Sequence, residues 1–416
     1  MKHPRRIFLH LAAGATALTY LYPGLICAAI AFFVTQSPAR ADIITEWNQT
    51  AVTTLVQAQL PTGAPTRALA MLHAAMFEAV NSIDPQFHPY KASIDAPKGA
   101  SAAAAASSAA YRVLAAVLPA QASTLEGRHK VLTAGIPESA DRAAGILIGE
   151  KAAAAILALR ANDGADFSPA YTPVPGTGMY VPTSTGMMAS PSLGKMQTFV
   201  LDKSSQFRPP PPPAIDSAQC LRDLGEVKAL GEKDSAIRTK AQTDIARYHA
   251  PPGFIVWNSI ARHAVQAKAL DLVNSARAMA LVNFGISDAV SAIFDAKYTY
   301  NAWRPVTAIR ASGSASGWTA LLPEPMHPEY PCAHCGVGAA ASTVLQRPFG
   351  SGPFPFSATA APDVAPRAFG RFREFEEEEA ISRIYAGVHF RWSNAVGEIV
   401  GKQVGEKVLE ALKPKS

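Results

Sequence analysis

The chain has 416 residues, 49% of them hydrophobic, and a formal net charge of +6. That is enough apolar material for one large domain or two fused ones. Four of its cations and none of its acids fall in residues 1–41, so the rest of the chain carries a net charge of only +2. This balance argues against a nucleic-acid partner, and three cysteines after residue 41 are too few for a disulfide scaffold.

Residues 1–41 have the features of an export signal. They begin with a basic cluster, continue through an apolar stretch at residues 7–34, and end with Ala-Arg-Ala at residues 39–41, which suits cleavage before Asp42. Residues 4–9, Pro-Arg-Arg-Ile-Phe-Leu, resemble a twin-arginine signal, and the twin-arginine and general secretory routes both stay open. We expect an exported protein, periplasmic or secreted, without stable membrane insertion after cleavage.

Abundant alanine and apolar residues at helical spacing predict an all-α fold. Beyond the export signal and the repeat described next, the predicted helices span residues 44–59, 98–118, 121–133, 138–162, 227–247, 256–272, 335–346 and 376–411. Residues 163–215 are rich in Pro, Gly, Ser and Thr and carry five consecutive prolines near their end, which predicts a connection between domains. A second such loop, residues 348–367, is expected at the rim of the functional pocket.

An internal repeat predicts two related helical bundles. Residues 67–83 and 277–293 align at a constant offset of 210, with six of seventeen positions identical and apolar residues at helical spacing in both copies. We therefore predict an N-terminal bundle at residues 42–162, the connection at 163–215, and a C-terminal bundle at 216–416. The first copy is not followed by the cations that follow the second, so the site is expected in the C-terminal bundle.

Three short motifs in the C-terminal half gather cations and histidines. They read Lys297-x6-Arg304-Pro305, Pro331-Cys332-Ala333-His334 and Ser382-Arg383-x5-His389. Lysine and arginine supply charge-assisted donors to phosphate-like oxygens, one histidine can attack or ligate a central atom, and another can move a proton. The motifs therefore predict a site for a tetrahedral oxyanion.

In this order the motifs resemble the signature of the vanadium haloperoxidases and the type 2 phosphatidic acid phosphatases (PAP2), which reads K-x6-RP, PSGH and SR-x5-H-x3-D. The two-bundle layout is also similar to that of the haloperoxidases. The resemblance implies that Lys297, Arg304, Arg383 and the backbone near Ala333 bind the oxygens of vanadate or phosphate. It further implies that His389 ligates vanadium or becomes phosphorylated, and that the acid–base residue opposite it is His334.

Departures from this signature carry their own expectations. Cys332 and Ala333 replace Ser-Gly, and a thiol is a weaker donor than a hydroxyl. Ser393 replaces the aspartate that would orient the ligand histidine, so His389 is expected to be less nucleophilic. The sequence does not place the family's carboxylate partner of the acid–base histidine, for which Asp244 is the nearest upstream guess.

Two further positions bear on chemistry and redox state. His327 stands seven residues before the acid–base histidine, and the resemblance implies a preference for bromide or iodide over chloride when histidine occupies this position. Cys332 and Cys335 have C-x2-C spacing, for which we expect free buried thiols, with a disulfide as the alternative.

The sequence therefore predicts an exported vanadate-dependent peroxidase that uses hydrogen peroxide to oxidise halide or a related substrate such as a sulfide. Lys297 would polarise the peroxide, and His334 would accept its proton. An acid phosphatase acting through a phosphohistidine at His389 is the first alternative, and a non-catalytic phosphate- or vanadate-binding relative is the second. In each case the partners are small molecules, and assembly into a homo-oligomer stays open.

Overall fold

The computed structural model describes residues 42–168, 171–313, 315–360 and 364–415, so the predicted export signal lies outside the described residues. Within these ranges the regular structure is almost entirely α-helical, and the predicted all-α fold is confirmed. The helices are α1 (Ile43–Gln57), α2 (Ala64–Ile83), α3 (Ala102–Val117), α4 (Ala122–Thr133), α5 (Ala140–Leu159), α6 (Ala218–Leu230), α7 (Lys240–Tyr248), α8 (Gly253–Ala267), α9 (Leu272–Tyr300), α10 (Pro305–Ala311), α11 (Ala333–Phe349), α12 (Phe372–Tyr385) and α13 (Arg391–Val408). Strands β1 (Phe356–Ala358) and β2 (Arg367–Phe369) pair antiparallel.

The internal repeat extends well beyond the residues that revealed it. α2, α3 and α5 pack together in the first half, and α9, α11 and α13 pack together in the second. α1 and α8 begin and end at the same offset of 210. Each is followed by a non-glycine residue with positive φ at that offset, 47° at Gln59 and 46° at Ala269. The two halves therefore share the same arrangement of helices.

Equivalent residues meet where the halves join. The Asn48 side chain on α1 donates to the Oδ1 of Asn258, its counterpart on α8, at 2.7 Å. Asn48 also contacts His73 on α2 at 2.7 Å, and Asn258 accepts from Asn283 on α9 at 2.9 Å. His73 and Asn283 are themselves equivalent positions of the repeat. All four side chains are buried, so these bonds satisfy groups that would otherwise be costly to bury.

The segment predicted as a plain connection is docked on the second half. The Asp288 carboxylate on α9 accepts the backbone N–H groups of Phe199, Val200 and Leu201 at 2.6 to 3.0 Å. Farther along, Tyr330 donates its hydroxyl to the carbonyl of Pro210 at 2.7 Å. These contacts bring residues of the 163–215 segment to the C-terminal half instead of leaving them as a spacer.

Two predicted helices are each two helices in the structure. The predicted span 227–247 covers the end of α6 and most of α7, which are separate elements. The predicted span 376–411 breaks between α12 and α13 at Gly387, where φ is +82° and an added Cβ would lie 2.4 Å from the Gly231 carbonyl oxygen. Because glycine tolerates positive φ and close approach, this break turns the chain between Arg383 and His389. The sequence did not predict α10.

Close packing of α11 against α13 fixes the helices on either side of the site. An added Cβ at Gly401 would lie 2.1 Å from the Gly336 carbonyl oxygen, and one at Gly397 would lie 2.5 Å from that of Cys332. The first turn of α11 is therefore held directly against the helix that follows His389.

Among the described residues, α9 alone is long and apolar enough to cross a membrane. Its most apolar window is 94% buried inside the protein. It runs through the centre of the molecule, and its last turn carries Lys297.

Candidate active site

The three motif cations come from three elements. Lys297 lies in the last turn of α9, Arg304 precedes α10, and Arg383 lies in the last turn of α12. None is more than 3% exposed. Burial and the neighbouring charge of Arg304 lower the pKa of Lys297, and the same two causes lower the pKa of Arg383 to about 10. Three buried cations whose charges act on one another favour a nearby anion.

Arg304 is held by the loop before the second motif and by the turn before His389. Its Nε donates to the His327 carbonyl at 2.9 Å, and one terminal nitrogen donates to the Val388 carbonyl at 2.9 Å. That same nitrogen lies 3.4 Å from Nε2 of His389. The other terminal nitrogen lies 2.9 Å from Nδ1 of His327. The same Nδ1 lies 3.0 Å from the Pro328 carbonyl, which can only accept, so its two neighbours favour opposite tautomers of the His327 ring.

Lys297 forms hydrogen bonds with the same loop before the second motif. Its Nζ donates to the carbonyls of Pro328 and Glu329 at 2.9 and 2.7 Å. These bonds use two of the three donors of an ammonium group. The loop thus links Lys297, Arg304 and the second motif.

A carboxylate that the sequence did not predict orients His389. Oε1 of Glu329 accepts from Nδ1 of His389 at 2.7 Å and from the Phe390 backbone N–H at 3.2 Å. Burial raises the pKa of Glu329 to about 7 against the opposing charges of Lys297 and Arg304. When ionised it takes the Nδ1 proton as a hydrogen bond, which leaves Nε2 of His389 with a lone pair.

The replacement of the family's aspartate by Ser393 therefore does not leave His389 without a carboxylate partner, which removes the reason to expect a less nucleophilic ring. Ser393 is fully buried, and its hydroxyl lowers the pKa of Glu329, so serine and glutamate lie together behind His389. The available signal was an acid two residues before Pro331. Local spacing did not reveal it because Glu329 and His389 are 60 positions apart.

α11 presents its N-terminus and His334 to the site. Within its first turn, the N–H groups of Cys335 and Gly336 bond back to Cys332. The N–H groups of Ala333 and His334 belong to the positive end of the helix, which favours an anion. Nε2 of His334 lies 3.2 Å from the Pro251 carbonyl, which can only accept, so that nitrogen carries the proton and Nδ1 the lone pair.

Two sequence predictions about this segment need correction. Asp244 is not a partner of His334, because it lies on α7 and pairs with Lys240 at 2.6 Å. Cys332 and Cys335 are not free thiols but form a disulfide. A disulfide sulfur has no S–H to donate, so Cys332 contributes no side-chain donor to an anion.

Five of these residues share one cavity of about 520 Å³, whose lining does not include Lys297 or Arg304, so direct contact of these two cations with an anion stays a prediction. The polar part of its lining consists mainly of Arg383, His334, His389 and His327, with Ala333 beside them. Arg383 donates to the His249 carbonyl at 3.1 Å, but its buried Nε has no hydrogen-bond partner among the described residues. A buried donor without a partner at a cationic cavity is an open position for an oxyanion oxygen.

The rim differs from the predicted one. The described residues of this loop, 348–360 and 364–367, do not line the cavity. Its remaining walls come mainly from the segments 60–66, 187–189, 250–254 and 322–326. The first of these belongs to the N-terminal half, so both halves shape the site although only the second supplies its charges.

Known proteins share this fold. The model of the VCPO second helical-bundle domain matches residues 277–415, which contain all three motifs. The crystal structure of the first bacterial vanadium-dependent iodoperoxidase superposes with a TM-score of 0.80 at 24% identity, covering 90% of this chain and 97% of that one. A holo-type bacterial vanadium-dependent chloroperoxidase superposes with a TM-score of 0.75 at 19% identity, covering 91% and 98%.

The apo-type bacterial chloroperoxidase gives a TM-score of 0.68 at 19% identity, covering 83% of this chain and 92% of that one. Comparison with curated protein sequences gives no match. At these identities the superpositions show a shared fold, and the domain match adds the motif-bearing half. The domain match over residues 277–415, the three motifs that they contain and the shared two-bundle fold support a relationship to the superfamily of vanadium haloperoxidases and type 2 phosphatidic acid phosphatases.

Proposed function

We propose that the protein is a vanadate-dependent peroxidase that uses hydrogen peroxide to oxidise a halide or a related substrate. The observation that carries the proposal is the convergence of Arg383, His334 and His389 on one cavity, with Arg304 3.4 Å from His389. The likeness to a bacterial iodoperoxidase and chloroperoxidase over nearly the whole chain favours peroxidase over phosphatase chemistry.

The residues present fit vanadate. The unpartnered Nε of Arg383 and the N-terminus of α11 offer donors to its oxygens, and Nε2 of His389 offers a lone pair to the metal. Bound vanadate would supply a Lewis-acidic centre that activates hydrogen peroxide. Lys297 and Arg304 would balance the charge of the anion while remaining bonded to the loop that they brace.

His334 is suited to take a proton from the peroxide. Burial and the charge of Arg383 lower the pKa of His334 well below its usual range, so the ring is neutral and Nδ1 is free to accept. His327 is also neutral, because burial and the charge of Lys297 lower its pKa. His327 lines the cavity seven residues before His334, and from this position we propose bromide or iodide in preference to chloride.

The acid phosphatase is the second candidate. In that reaction Nε2 of His389 would attack phosphorus while His334, once protonated, would donate to the leaving alkoxide. Replacement of the family's aspartate by Ser393 predicts a weaker nucleophile at His389 and so disfavours the phosphatase. The 2.7 Å bond from His389 to Glu329 removes that objection, because the nucleophile has its carboxylate. The same bond weakens the non-catalytic alternative.

The two enzyme functions are separated by paired assays on the purified protein. We expect oxidation of bromide or iodide by peroxide only after vanadate is added, and loss of that activity in His389→Ala. The exposed His88 provides the matched control, His88→Ala, which should behave like the wild type. Hydrolysis of p-nitrophenyl phosphate that vanadate inhibits, without any peroxidase activity, would replace the proposal with the phosphatase.

We also propose that residues 1–41 direct export. Fractionation of expressing cells should then recover a periplasmic or secreted form whose N-terminus is Asp42. An intact N-terminus on cytoplasmic protein would contradict export.

A further inference from the structure

Two methionines lie in the wall of the cavity that Arg383 and the histidines share. They are Met187 and Met326. Of the nine methionines in the chain, one lies outside the described residues, and these two alone of the other eight line the cavity. Met187 is 65% exposed, so it lies where the cavity opens to solvent, whereas Met326 is half-buried and directly precedes His327.

The two methionines come from segments that are bonded to each other. The backbone N–H of Ala189 donates to the Met326 carbonyl at 3.0 Å. The Ser184 hydroxyl donates to Sδ of Met326 at 3.1 Å. Residues 184–189 therefore run beside Met326, which places both methionines on one side of the cavity.

Their thioethers are the most easily oxidised groups of the described cavity wall. No cysteine, tyrosine or tryptophan among the described residues lines it. Methionine sulfur is soft and polarizable, and oxidants convert it to the sulfoxide. The next most reactive side chains in the lining are the imidazoles of His327, His334 and His389. An oxidant formed in this cavity therefore meets either a thioether or a ring that the proposed chemistry needs.

We infer that Met187 and Met326 are modification sites, where oxidant produced in the cavity is captured before it reaches the histidines. This rests on the proposed peroxidase function, which supplies hypohalous acid. The oxygen–halogen bond breaks, the oxygen bonds to sulfur to give the sulfoxide, and the halide and a proton leave. Sulfur is oxidised by two electrons and the halogen is reduced by two. At Met326 the Ser184 hydroxyl can then donate to the sulfoxide oxygen.

Peptide mass mapping after turnover tests the modification. One sample of the protein receives vanadate, bromide and hydrogen peroxide, and another receives an equal amount of hypobromous acid from solution. Met179 is half-buried like Met326 but does not line the cavity, so it reports the effect of exposure alone. The ratio of Met326 sulfoxide to Met179 sulfoxide should be at least about threefold higher after turnover than after added reagent.

The same samples separate this inference from the proposed function. His389→Ala in the turnover mixture measures oxidation by free peroxide and should not favour Met326 over Met179. Bromide oxidation by the wild type, with a ratio no higher than that from added reagent, would overturn the modification sites and leave the peroxidase intact. A wild type that oxidises no bromide would overturn the peroxidase and, with it, the source of the oxidant.

The protection of the histidines has its own test. Replacing Met187 and Met326 together with leucine keeps apolar side chains of similar size and removes both thioethers. The double variant should lose its activity after at least about twofold fewer turnovers, with halogenated histidine in the peptides that line the cavity. Met179→Leu is the matched control and should last as long as the wild type. A double variant that lasts equally long would overturn the protective role.

Discussion

Nδ1 of His389 lies 2.7 Å from Oε1 of Glu329, and both side chains are almost completely buried. The carboxylate comes from the loop before the second motif and not from the helix after the third. Lys297 bonds the backbone carbonyl of the same glutamate. One residue therefore connects the first motif to the histidine of the third.

Removing this carboxylate should weaken vanadate binding. In Glu329→Ala, His389 loses the group that fixes its tautomer and ring orientation, and we expect about 10- to 100-fold lower vanadate affinity and peroxidase activity. Because Ser393 lies beside Glu329, the double variant Glu329→Ala with Ser393→Asp should restore part of the loss. Equilibrium dialysis with vanadate measures both.

The exposed Glu138, 94% exposed at its side chain, provides the matched control Glu138→Ala. A Glu329→Ala protein that binds vanadate like the wild type would rule out the positioning role. A folded double variant, Glu329→Ala with Ser393→Asp, whose vanadate affinity is no higher than that of Glu329→Ala would also rule it out.

Removal of the disulfide between Cys332 and Cys335 should lower the free energy of unfolding without changing the affinity for vanadate. The disulfide closes a four-residue loop, so replacing both cysteines with serine should cost about 2 kcal/mol of unfolding free energy. The change Cys332→Ser replaces the capping sulfur with a hydroxyl oxygen that can also cap α11. Alanine at both positions should therefore cost about 1 kcal/mol more. Urea unfolding of the two double variants measures the difference. A tenfold loss of vanadate affinity in the serine variant would contradict this division of roles.

Glu379 should make stability depend on pH. Burial raises the pKa of Glu379 to about 8, while its carboxylate accepts from the Trp257 indole at 2.9 Å. Between about pH 5 and 8 the unfolded chain releases this proton and the native protein keeps it, so its contribution to stability falls as pH rises. Glu379→Gln keeps an acceptor and cannot ionise.

The stability of Glu379→Gln relative to the wild type should therefore increase from pH 5 to pH 8, by up to about 1.4 kcal/mol per pH unit. Thermal unfolding of both proteins across that range tests this, with Glu377→Gln, at an exposed glutamate on the same helix, as control. A difference that stays flat or shrinks with rising pH would show that Glu379 is ionised in the native protein.

The contact between the halves should be costly to break. Asn258→Ala leaves the buried amides of Asn48 and Asn283 without the acceptor that both share. We expect about 2–6 kcal/mol of destabilisation, since each of the two unpaired buried groups costs about 1–3 kcal/mol. Asn162→Ala, at an exposed asparagine, should be neutral in the same urea titration. Equal stability of the two variants would show that the network contributes nothing to joining the halves.

The fold was predictable where local pattern decides it. The repeat at 67–83 and 277–293 predicted two related helical bundles. The single helix predicted over 376–411 was wrong because helical periodicity does not register one positive-φ residue.

The site residues that belong to the three sequence motifs could be predicted from the sequence. Those that reach the site only through tertiary packing could not. The sequence identified the cations and histidines, but it missed Glu329, whose contact with His389 spans 60 positions. It also expected free thiols at Cys332 and Cys335, since C-x2-C spacing alone does not determine oxidation state. The cavity wall near Leu60 depends on how the two halves pack, which no local pattern encodes.

Equilibrium binding of vanadate to the purified protein tests most directly whether these side chains enclose a single oxyanion. We predict one vanadate per chain, competition by phosphate, and at least about 100-fold weaker binding in both Arg383→Ala and His389→Ala, because each removes a buried partner of the anion. His88→Ala should bind like the wild type. Absence of saturable binding, or binding that neither site variant weakens, would contradict the proposed site.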